Sequence, residues 1–147
     1  MSILNPKRTI EDAGGIVVNK KTGYIILVKM HHDVWGFPKG RVLKDEVDLD
    51  CAKREIYDET CINEADYIKE LGTYERANSY NKNEHLKIRM FLFETSQDDI
   101  RPVSQSVAET KWVNKEEVIK ILTLLEDKKF FKKVLSSFIL NKQALLN

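Results

Sequence analysis

The sequence predicts an α/β fold, a mixed β-sheet held between helices in an α/β/α sandwich. Three observations carry that expectation. Two apolar runs separated by a glycine-containing turn stand near the start, DAGGIVVN at 12–19 and YIILVKM at 24–30, as paired strands do. A later run, LKIRMFLFE at 86–94, sets Leu86, Ile88, Met90 and Leu92 on one face and Lys87, Arg89, Phe91 and Phe93 on the other, so both faces ask for cover. Helical periodicity at 48–60, at 115 to about 125 and at 129–146 supplies the covering layers.

The elements follow in order. Residues 1–9 read as a loose arm, and residues 10–147 as a single domain that includes the C-terminal helices. Gly14 and Gly15 allow close backbone approach in the first strand. The turn at 20–23 joins it to the second strand in a hairpin. His31, His32 and Asp33 follow, and this histidine pair, without a partner at metal-ligand spacing, reads as loop surface. In WGFPKG at 35–40, Pro38 forces Phe37 to be extended and Gly40 lets the chain turn. The helix at 48–60 turns Leu49, Ala52 and Ile56 inward. A strand at 68–76 and a polar loop at 77–84 precede the alternating run. After a loop at 97–105 comes a short strand at 111–113. Asn114 caps the next helix, with Glu116 and Glu117 in its first turn and Val118, Ile121, Leu122 and Leu125 on its apolar side. In the last helix Phe130, Phe131, Val134, Leu135, Phe138, Ile139 and Leu145 pack inward and the lysines form a solvated face, not a membrane anchor.

Composition narrows the class. The chain has 147 residues, 42% of them hydrophobic, enough for one domain with a sizeable core. A net charge of +1 gives no global field for nucleic acid. Cys51 and Cys61 lack metal-ligand spacing and read as reduced thiols, which suits a cytoplasmic location. The polar N-terminus does not read as a signal peptide, and no run of eighteen apolar residues suggests a membrane span.

The chemistry concentrates in GRVLKDEVDLDCAKREIYDETCI at 40–62. Asp58 and Glu59 lie three and four residues after Glu55, and Glu46 can fold back towards them. Four carboxylates gathered at one spot need a positive partner, and a hard divalent cation with oxygen ligands, Mg²⁺ or Mn²⁺, meets that need. Lys39 projects beside them as a phosphate contact. Lys87 and Arg89 are candidates to line a polyphosphate groove, and Tyr74 and Tyr80 to stack on a base.

This segment resembles the Nudix box, G-x5-E-x7-R-E-U-x-E-E-x-G-U with U a bulky aliphatic residue. Gly40, Glu46, Arg54, Glu55, Ile56, Glu59 and Ile62 match, while Asp58 replaces a glutamate and Cys61 a glycine. If that last position needs positive φ, cysteine costs about 1 kcal/mol more than glycine; Asn63 is the alternative left-handed residue. The resemblance implies a Mg²⁺- or Mn²⁺-dependent hydrolase that splits a phosphoanhydride in a nucleotide. It implies Glu55, Glu59 and, more weakly, Asp58 as metal ligands, Glu109 as a further carboxylate, Arg54 orienting the carboxylates, and Glu46 or Glu59 handling the attacking water. W-x-x-P-K-G before the box is similar to diadenosine tetraphosphate hydrolases, which implies a dinucleoside polyphosphate substrate. W-G-F-P-K-G followed by D-C-A-x-R-E is similar to mRNA-decapping Nudix enzymes, which implies the 5′ end of RNA. Diphosphoinositol polyphosphates are a third expectation, because Lys39, Arg41, Lys87 and Arg89 can meet many phosphates. A Nudix-fold nucleotide-binding module without catalysis is the alternative of another class.

Overall fold

Two strands dense in apolar residues set the architecture. β1 (Arg8–Asn19) and β6 (Glu84–Thr95) pair in parallel along their whole length, from Arg8 opposite Glu84 to Asn19 opposite Thr95. In this computed structural model the backbone is described for residues 7–146 and the side chains for residues 7–136. β2 (Ile25–Met30), β3 (Trp35–Gly36), β4 (Lys39–Arg41), β5 (Ala65–Ala77) and β7 (Val107–Val113) complete a mixed sheet of seven strands among the described residues. Its main path runs β3-β2-β1-β6-β5, with β4 on β1 and β7 on β2.

The expected alternation explains the layers. Ile16, Val18, Ile25, Leu27, Ile88, Met90 and Leu92 enter one core, closed by Val118 and Leu122 at α2 (Lys115–Ile121) and by Phe130, Phe131 and Val134 of α3 (Leu125–Leu146). Val17, Ile26, Phe91 and Phe93 enter the other, closed by Cys51, Ala52 and Ile56 of α1 (Asp48–Thr60). The sandwich is thus the one the pattern predicts. No helix among the described residues is long and apolar enough to cross a membrane.

Several boundaries differ. β1 begins at Arg8, inside the stretch read as an arm, and residues 1–6 lie outside the described residues. The expected hairpin exists only at its turn: Val18 stands opposite Ile25, and Asn19 N–H donates to Tyr24 O at 2.8 Å, after which the strands part. β1 pairs instead with β4 and β6, and β2 with β3 and β7. WGFPKG is therefore two short strands broken at Pro38. α2 ends at Ile121 because the backbone at Leu122 is extended, and Thr123 then exchanges hydrogen bonds with the Trp35 backbone on β3 (3.2 and 2.9 Å). The expected inward packing of Phe138, Ile139 and Leu145 lies outside the described side chains.

Candidate active site

The parting of β1 from β2 admits β4 beside α1. Gly14 makes this possible: a Cβ there would stand 2.3 Å from the Pro38 carbonyl oxygen. One turn of chain later, a Cβ on Gly40 would stand 2.3–2.6 Å from the carboxyl atoms of Glu55. The missing side chain is the space that this carboxylate occupies.

Arg54 organises the upstream carboxylates. Its Nε and Nη2 donate to the two oxygens of Glu46 at 2.8 and 2.9 Å, and its Nη1 donates to Glu55 at 2.6 Å. Nη2 also reaches the Arg41 carbonyl at 3.1 Å. The guanidinium and the Leu43 N–H hold the Glu46 carboxyl down at about 2. Cys51 closes the same corner. Its thiol lies 3.5 Å from the Gly40 carbonyl, and burial pushes it up to about 12, so it remains a neutral packing group.

Glu59 is the unusual member. Only 4% exposed, it has its carboxyl raised well above the ordinary range, first by burial and then by the charge of Glu55. Lys39 pulls the other way, but its Nζ is also 3.3 Å from the buried Asp12. Glu59 and Lys39 border a recess of about 60 Å³ whose other walls include Met30, Phe37, Arg76 and Tyr80.

The expected gathering of carboxylates centres on Arg54, which bridges Glu46 and Glu55, and Glu59 adjoins Glu55. Asp58 remains 40% exposed, 3.9 Å from Arg54, while its carbonyl accepts the Val103 and Ser104 N–H groups. Among the described residues no three His, Cys, Asp or Glu side chains cluster closely enough to hold an ion. Glu109 stands exposed opposite Lys29 in the β2–β7 pair and is not among the residues that wall the recess.

Of the expected substrate contacts, Lys39 and Tyr80 reach the recess. Three others do not, each for a structural reason. Tyr74 stacks on Phe130 of α3, centroids 4.5 Å apart, and its hydroxyl donates to Asp127, so it belongs to the core and not to a base platform. Arg89 is spanned by Glu70 (2.7 Å) and Asp48 (3.2 Å). Lys87 lies exposed between Glu11 and Glu75 of the flanking strands. Neither opens a polyphosphate groove at Glu59.

One wall residue, Arg76, and one ring behind the wall, His32, escaped sequence reasoning. Arg76, 7% exposed, donates through Nε to the buried Asp127 at 3.1 Å. His32 packs its ring on Tyr80. The signal for Arg76 was an arginine at a position that alternates with Tyr74 on one face of β5. Nothing local marked its partner, 51 residues on.

The Glu55–Glu59 pair fits a hard divalent cation. Its donors are carboxylate oxygens, and Glu59 is buried beside the like charge of Glu55, which a cation would relieve.

Comparison with known proteins agrees with this geometry. The family profile described as NUDIX domain matches residues 9–136. The mRNA-decapping enzyme subunit 2 of Saccharomyces cerevisiae is 37% identical over 78 residues, covering 52% of this chain and 8% of the relative. The mRNA decapping complex subunit 2 of Schizosaccharomyces pombe is 44% identical over 59 residues, covering 39% of this chain and 8% of the relative. The chain thus spans about 8% of the length of the curated relatives it matches. A C. elegans Ap4A hydrolase in a binary complex superposes with a TM-score of 0.77 at 22% identity, covering 90% of this chain and 98% of that one, a likeness of fold.

Proposed function

The chain belongs to the Nudix family, and on that premise we propose that it hydrolyses a phosphoanhydride bond in a nucleotide substrate with Mg²⁺ or Mn²⁺ bound at Glu55 and Glu59. The observation that carries this reading is the buried Glu59 carboxyl beside Glu55 at the edge of an open recess. A divalent cation bound there neutralises phosphate charge and makes a bound water more acidic.

The chain's own residues have separable tasks. Arg54 fixes Glu55 and Glu46 at 2.6–2.9 Å and so presets the carboxylate pair. Glu46 and Glu59 are the two candidates to orient or deprotonate the attacking water: Arg54 holds both oxygens of Glu46, and Glu59 borders the recess. Lys39 stands beside it as a cation for the phosphates, and Tyr80 exposes its ring for a base.

Among nucleotide substrates, the 5′ end of RNA has the stronger support, because the sequence likeness at 37–44% identity is to decapping subunits. A dinucleoside polyphosphate, the first expectation from the sequence, becomes the second reading, favoured by Trp35, Pro38, Lys39 and Gly40 in W-x-x-P-K-G. Diphosphoinositol polyphosphates suit the recess less well. Met30 and Phe37 line it, and Arg41 and Arg89 are each occupied by carboxylates.

The test is product release from capped RNA, diadenosine tetraphosphate and a diphosphoinositol polyphosphate, with Mg²⁺ or Mn²⁺ and with chelator. Hydrolysis should need the cation. Glu59→Gln should lose activity at least about a hundredfold while melting within a few degrees of the parent. Tight nucleotide binding without turnover of any substrate would establish a binding module instead.

A further inference from the structure

Tyr80 lines the recess, and the half-buried His32 ring lies behind it, outside the lining. Tyr80 is 59% exposed, yet one of its ring faces is taken: the His32 imidazole lies 3.7 Å away, centroid to centroid, with the planes tilted by 36°. The exposed surface of Tyr80 is therefore its other face and its edge.

His32 is itself fixed. Its Nε2 is 2.9 Å from Ser79 Oγ, and its Nδ1 is buried with no hydrogen-bond partner. One nitrogen is engaged and the other is enclosed. What His32 contributes is the flat of its ring. The contact joins the loop after β2 to the bend that carries Ser79 and Tyr80, across the recess from Lys39 and Glu59. The far end of that bend is tied down by Asn78 Nδ2 donating to Glu84 at 2.9 Å, and Glu84 is held by Arg41 at 3.0 Å.

A ring held before a ligand arrives loses less freedom when the ligand binds. We propose that His32 is a positioning residue for base recognition: it backs Tyr80 so that the free face of the tyrosine stacks on the nucleobase beside the carboxylate pair. The proposal rests on the reading that a nucleotide binds at Glu59. His32 touches Tyr80 and not the ligand, and it acts through the angle of that ring.

Calorimetry of the full chain with Mg²⁺, using ADP and inorganic pyrophosphate as probes, separates the base from the phosphates. The parent should bind ADP more tightly than pyrophosphate. His32→Ala should weaken ADP about three- to tenfold and leave pyrophosphate unchanged. His32→Phe keeps a ring behind Tyr80 and should retain ADP affinity within about twofold; melting temperatures verify that both variants fold. Equal loss of ADP and pyrophosphate in His32→Ala, no loss of either, or equal damage from Ala and Phe overturns the role of His32 while leaving the phosphate site standing. If the parent binds pyrophosphate and gains nothing from the base of ADP, the stacking platform is overturned alone. If the parent binds neither probe, the nucleotide reading falls and His32 falls with it.

Discussion

A single absent methyl group sets the reach of the acidic helix α1. Gly40 leaves the volume that the Glu55 carboxyl fills, 2.3–2.6 Å from where a Cβ would stand. Gly40→Ala should therefore displace the far end of a flexible side chain and not the backbone. The expected outcome is a large functional loss, about tenfold or more in activity or in Mn²⁺ affinity, with a stability change of less than about 1 kcal/mol. Turnover assays and a thermal melt of the same preparation check the two halves. Residues of this kind were legible in the sequence because their spacing is local: Gly40, Arg54, Glu55 and Glu59 meet through one loop and one helix. Tyr74 was misread because its surroundings are Phe130 and Asp127 of the last helix, and Arg89 because Glu70 and Asp48 engage it; these partners approach only through the tertiary fold.

At the level of elements, α1 was found over the residues predicted, 48–60, and its end explains one departure from the Nudix pattern. Cys61 takes φ 68° and ψ 7°, its N–H donates to Tyr57 O at 2.8 Å, and its carbonyl accepts from Gln97 Nε2 at 2.9 Å. The left-handed position is thus filled by Cys61 and not by Asn63. A side chain there pays the usual steric penalty, so Cys61→Gly should stabilise the fold by about 1 kcal/mol and raise the melting temperature by about 2–4 °C. A melt that falls instead would mean the thiol contributes packing that outweighs the backbone term. Helix boundaries were legible at α1 from its periodicity, although its N-cap Val47 makes no side-chain hydrogen bond. They were not at α2, where Thr123 docking on Trp35 halts a helix that its own apolar spacing would continue to about residue 125. The two short strands of WGFPKG were likewise hidden, because their partners are β2 and β1 and not each other.

For the molecule as a whole, the two extreme carboxyls bend the pH dependence in opposite directions. Glu59 keeps its proton to higher pH when folded than when unfolded, so its contribution to stability is full at low pH and is lost as pH rises above about 4.5, the ordinary value, through its raised folded value. Glu46, lowered to about 2, does the reverse: its contribution is present above about 4.5 and disappears as pH falls from there to about 2. On the proposed reading a cation would bind the ionised form of Glu59, so Mn²⁺ should raise the melting temperature more at pH 8 than at pH 5, by a few degrees. In Glu59→Gln most of that difference should vanish, and melts in Mn²⁺ and in chelator at both pH values measure it. The layer order of the sandwich was legible from alternation, whereas the parallel pairing of β1 with β6 was not, since nothing in either strand names a partner 76 positions away. That pairing also sets a timetable. While the protein is being made, at about 5–20 residues per second, β1 waits about 4–15 s for β6 to be synthesised. For that interval the apolar run Ile16-Val17-Val18 has only the tip of β2 as a strand partner, so its open edge makes the nascent chain, more than the finished one, the natural client of a chaperone.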